Sequence, residues 1–104
     1  MKTKKNTKDI PLTKPFVSAL EAAGVKFKWG KNAATCTIPY GNGEKIKLDF
    51  GFEVDSIVGK PTKAKWNENF VIQLDDYAAN LADEGDNEAL VSRLESLVEV
   101  VRYL

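Results

Sequence analysis

From Val25 to Val54 apolar residues fall on every second position, in three runs separated by turn sequences. A period of two places alternate side chains on opposite faces of a strand, so this stretch dictates a sheet. Val25, Phe27 and Trp29 alternate with Lys26 and Lys28. Beyond the turn Gly30-Lys31-Asn32-Ala33, the residues Ala34, Cys36, Ile38 and Tyr40 alternate with Thr35, Thr37 and Pro39. Gly41-Asn42-Gly43 then gives a hairpin signal, because these residues accept positive φ cheaply. In the third run Ile46, Leu48, Phe50, Phe52 and Val54 alternate with Lys45, Lys47, Asp49, Gly51 and Glu53. Three strands joined by short turns predict an antiparallel meander with one apolar and one polar face.

On either side of the meander the period lengthens to that of a helix. Thr13 is positioned as an N-cap with Pro15 in the first turn, and Phe16, Ala19, Leu20 and Ala23 form one stripe ending at Gly24. Residues 55–65, with Gly59, Pro61 and three lysines, read as a loop. Asn67 would cap a second helix whose stripe is Phe70, Val71, Leu74, Tyr77, Ala78 and Leu81. The run 70–74 alone also fits a short strand; continuation of the stripe through Leu81 favours the helix. After a break at residues 83–87, a last helix capped by Asp86 or Asn87 carries Leu90, Leu94, Leu97, Val101 and Leu104, widened by Val91 and Val98. Its two heptads are too short for a free coiled coil, so it packs on the sheet and the chain is expected to be a monomer. The predicted fold is α+β: a two-layer sandwich of an N-terminal helix, a three-stranded antiparallel meander and two C-terminal helices. Residues 13–104 form the single domain, and residues 1–12, with Lys2, Lys4, Lys5 and Lys8, a flexible basic arm.

The 104 residues contain no histidine and one cysteine. Ser-His-Asp and Cys-His catalysis therefore cannot be assembled, nor an internal disulfide or a thiolate zinc cluster. Cys36 is in phase with Ala34 and Ile38, which predicts a buried, inert thiol. Asp75 and Asp76 are neighbours on a helix and do not converge like a catalytic pair. Residues 83–88 lack calcium-loop spacing, and Pro61 interrupts any phosphate-loop reading of Gly59-Lys60-Pro61-Thr62. No enzyme activity, metal or cofactor is expected. The basic start has no apolar signal region behind it and no window is apolar enough for a membrane helix, so the expected location is the cytoplasm, a host cell's if the chain is viral.

The equal counts of basic and acidic residues, 15 each, conceal a polar chain. Through residue 65 thirteen lysines face six acids; from residue 66 two arginines face nine. Such separation orients and steers charged partners. The alternation puts Lys26, Lys28, Lys45 and Lys47 on the polar sheet face around Thr35 and Thr37, a surface suited to phosphates or an acidic protein. The competing reading is an ordinary solvated face, since Asp49 and Glu53 share it and the aromatic residues point away. Trp66, following Lys60, Lys63 and Lys65 in the predicted loop, suits stacking on a base or anchoring a protein contact; alternatively it folds back over the core.

A helix followed by a three-stranded meander is similar in element order to double-stranded-RNA-binding domains and to small histidine-dependent toxin ribonucleases. The toxin histidine is missing, and Asn67-Glu68-Asn69 stands where the RNA-binding domain has a basic helix start. The expected function is that of a small regulatory or inhibitory protein, of the kind phages encode, that binds a protein partner by charge complementarity. The alternative is a nucleic-acid-binding module using the lysine face and the basic arm.

Overall fold

The computed structural model describes residues 10–85 and 87–104. Its elements are α1 (Lys14–Ala22), β1 (Lys26–Trp29), β2 (Ala33–Gly41), β3 (Glu44–Gly51), a 3-10 turn (Val54–Ser56), α2 (Lys63–Glu84) and α3 (Glu88–Val101). This is the predicted α+β arrangement: a helix, a three-stranded antiparallel sheet ordered β1-β2-β3, and two C-terminal helices. No described helix is long and apolar enough to cross a membrane. Of the expected basic arm, residues 1–9 lie outside the described residues, while Leu12 is buried in the core.

The helices cover the apolar face of the sheet. Phe70 of α2 stacks on Phe50 of β3 at 4.1 Å between ring centroids and meets Phe16 of α1 edge-on at 5.4 Å. Leu90, Leu94, Leu97, Val98 and Val101 of α3 join the same core. Edge-to-face and offset-stacked rings add to the burial of their large apolar area.

Two polar devices fasten the layers. Asn67 donates from Nδ2 to Thr13 Oγ1 at 2.9 Å and accepts from the Thr13 N–H at 3.2 Å, tying α2 to the residue that precedes α1. Arg93 of α3 donates from Nε to the Pro39 carbonyl at 3.1 Å and from Nη2 to the Ala23 carbonyl. Pro39 lies past the last pair of β1 with β2, Lys26 with Thr37, so its missing N–H breaks no ladder bond there. Gly24 permits this closure: its φ is +100°, and a Cβ there would sit 3.2 Å from the Pro39 ring.

Four sequence expectations need correction. The loop expected through Lys65 ends earlier, because Thr62 caps α2 by accepting from the Lys65 N–H at 3.2 Å; Asn67, expected as the cap, lies in the second turn. Trp66 therefore stands on a helix, not in a loop. The third strand stops at Gly51, and Val54 is exposed in the 3-10 turn instead of continuing the alternation. Leu104 keeps the heptad spacing but falls beyond the end of α3 and is 60% exposed. Asn87 caps α3, accepting from the Leu90 N–H at 3.2 Å, while Asp86 lies outside the described residues.

Candidate functional site

The register builds the polar face row by row. Lys26 pairs with Thr37, which pairs with Lys47 on its other side; Lys28 pairs with Thr35 and Thr35 with Asp49; Pro39 pairs with Lys45. Strands lie ~4.8 Å apart, so Lys26 and Lys47 flank Thr37 with backbones roughly 10 Å apart. All four lysines are exposed. Asp49 is the carboxylate within the ladder on this face, and its Oδ1 accepts from the Thr35 hydroxyl at 2.9 Å. Phe27, Trp29 and Phe50 are on the opposite face, so the lysine face offers no ring for stacking.

The second predicted group does not join the first. Lys60 precedes α2, Lys63 and Lys65 are exposed in its first turn, and all three belong to the helical side of the molecule. Trp66 is 8% exposed and packs edge-on against Phe52 at 5.5 Å, closing the core. The helix start is nevertheless basic, in contrast to the Asn67-Glu68-Asn69 start expected from sequence. Cations there oppose the positive end of the helix dipole, an arrangement that a bound anion would offset.

Two features carried no obvious sequence signal. Trp29, Phe52 and Trp66 line a cleft of about 580 Å³ with Ile10, Pro11 and Lys31, bringing together segments distant in sequence. Side chains of α2 occupy the outer edge of β3 at its C-terminal end. The Gly51 N–H donates to Gln73 Oε1 at 2.9 Å, Gln73 Nε2 donates to the Gly51 carbonyl at 2.9 Å, and the Tyr77 hydroxyl donates to the Asp49 carbonyl at 2.6 Å. Asn69 accepts from Gln73 Nε2 at 2.8 Å and steadies it. Asn69, Gln73 and Tyr77 recur every four residues, a polar stripe beside the apolar one.

Cys36 is fully buried, and burial, reinforced by the charge of Asp49, pushes its thiol from the ordinary 9.0 to about 12. The thiolate is the reactive form, so the native thiol should resist alkylation at pH 8 while the unfolded chain reacts readily. Tyr77 moves the same way, raised by burial and by the nearby charge of Asp49. Both groups keep their protons longer folded than unfolded. The contribution of Cys36 is thus intact below pH 9 and is lost as pH rises toward 12, by up to ~1.4 kcal/mol per pH unit. Urea titrations between pH 8 and 11 should show that decline, and Cys36→Ala should flatten it. Among the described residues no cluster of three or more acidic or thiol side chains is arranged to hold a metal ion.

No protein-family model matches this chain, and no curated protein or solved structure is significantly similar to it.

Proposed function

We propose that the chain acts by binding and not by catalysis, docking its basic sheet face on the acidic surface of a protein partner. The row Lys26–Thr37–Lys47, extended by Lys28 and Lys45, carries this reading. It presents exposed ammonium groups on a regular, rigid sheet surface. The helical layer behind it exposes Asp75, Asp76, Asp83, Glu84, Glu88, Glu95 and Glu99. A molecule with a basic sheet face and a helical layer that is acidic away from the lysines at the start of α2 approaches a charged partner in a preferred orientation. Covering an acidic surface would inhibit or regulate the partner, with the chain acting as a cytoplasmic monomer.

The test is capture of partners from nuclease-treated extract by the tagged chain and by Lys26→Glu with Lys47→Glu. The substituted side chains are exposed, so circular dichroism should be unchanged while the captured protein is lost. Retention of the same partner by the variant would sink this use of the face. The second reading is nucleic-acid binding by the lysine face and the basic arm, to which the start of α2 adds Lys63 and Lys65. It predicts a gel shift of duplex or single-stranded probes at physiological salt. Neutralising two contacting lysines, Lys63 with Lys65 or Lys26 with Lys28, would then flatten the log–log salt slope by about two units. Docking on protein predicts no shift.

A further inference from the structure

Each edge of the sheet is covered over part of its length. On β3, Gln73 and Tyr77 occupy the outward groups of Gly51 and the outward carbonyl of Asp49, while no hydrogen bond from another described residue reaches those of Lys45 and Lys47. On β1, the Gly30 N–H donates to the Ala33 carbonyl at 2.7 Å, continuing the pairs Lys28 with Thr35 and Lys26 with Thr37. Backbone groups of an antiparallel strand point alternately inward and outward, so those of Phe27 and Trp29 point away from β2. No hydrogen bond from another described residue reaches them. An open strand edge is a template for another strand.

We propose that β1 receives an extended segment of the protein partner as a fourth strand, and that this segment alternates acidic and apolar residues. The inference rests on the docking reading above and specifies what the lysine face touches. A strand added ~4.8 Å beyond β1 shares its pleat. Residues opposite Lys26 and Lys28 stand on the lysine face, where acids are favoured. Those opposite Phe27 and Trp29 stand on the aromatic face, where apolar side chains are favoured. Just past Trp29, the cleft walled by Phe52 and Trp66 takes a larger apolar side chain at the end of the segment. A second copy of this chain is a poor occupant: β1 against β1 sets lysines beside lysines, and like charges directly opposite destabilise a pair. A nucleic acid supplies no strand hydrogen bonds.

The probe is a fluorescein-labelled peptide of alternating glutamate and valine, followed by anisotropy against the full chain. The added strand runs antiparallel to β1, so the valines opposite Phe27 and Trp29 bear the amides that face them, while the glutamate amides face away. N-methylation of the valines should therefore abolish binding, and N-methylation of the glutamates should leave it within twofold. Lys26→Glu with Lys28→Glu should weaken the peptide by at least about tenfold and admit an alternating lysine–valine peptide instead. Hydrogen exchange should slow at the Phe27 and Trp29 amides when the peptide binds. Equal binding of both N-methylated peptides would overturn strand addition and leave the lysine face standing as a charge contact. Failure of the peptide to bind, with capture of the native partner still dependent on Lys26 and Lys47, would do the same. If neither peptide nor partner responds to the lysine substitutions, the docking reading falls and the inference with it. Slow exchange of both amides in a concentration-dependent dimer without peptide would assign the edge to a second copy.

Discussion

Leu97→Asp should leave a chain with no cooperative unfolding transition and a far-ultraviolet spectrum that has lost its helical signal. Leu97 is 1% exposed in the middle of the α3 stripe, between Leu94 and Val101. A carboxylate placed there has no described cation packed against it, and the several kcal/mol of desolvation rival a small domain's whole stability of about 5–15 kcal/mol. The matched control is Leu104→Asp. Leu104 is 60% exposed beyond the helix end, and the change should move stability by less than about 0.5 kcal/mol. The pair also tests assembly. If Leu97 were part of a dimer seam, Leu97→Asp would yield a folded monomer from a dimeric parent. Sedimentation at near-physiological salt should instead show a monomeric parent and an unfolded variant.

Phe70→Ala should lower the unfolding free energy by about 3–5 kcal/mol, read as a fall in denaturant midpoint at unchanged slope. Phe70 is 2% exposed and is where the layers meet. Its ring touches Phe16 of α1, stacks on Phe50 of β3, and lies 6.2 Å from Phe27 of β1. Truncation leaves a void walled by three rings on three different elements, which cannot all move in to fill it. Phe70→Leu keeps most of the volume and should recover more than half of the loss. A loss below about 1.5 kcal/mol for alanine would mean that the core closes around the gap, and that the aromatic junction is not what joins the layers.

Much of this architecture is written in local periodicity. The alternation of Lys26, Lys28, Lys45 and Lys47 with apolar residues fixed both the sheet and the lysine face, and the observed register keeps them together. What escaped depends on contacts distant in sequence. Residues 60–65 look like a loop by composition, yet Thr62 caps a helix there although Lys65 stands where a capping box would have an acid. The alternation beyond Gly51 runs on to Val54, but the Gln73 amide holds the Gly51 backbone and the chain leaves the sheet. Arg93, counted from sequence as one surface charge, is a clamp because Pro39 and Ala23 present carbonyls that no strand or helix takes up. The cleft required Ile10, Trp29, Phe52 and Trp66 to meet, and no spacing announces that.

The Arg93 clamp has a consequence for the order in which the molecule is made. It joins α3 to carbonyls 54 and 70 residues earlier in the chain. On a ribosome, α1 and the meander emerge first, with the apolar faces of α1 and β2 still lacking the cover of α3. Loop-closure entropy over such separations is overcome only once Leu94, Leu97 and Val101 arrive to cover them. A nascent chain stalled before residue 88 should therefore recruit holdase chaperones, and release of the next fourteen residues, Glu88–Val101, should end that dependence.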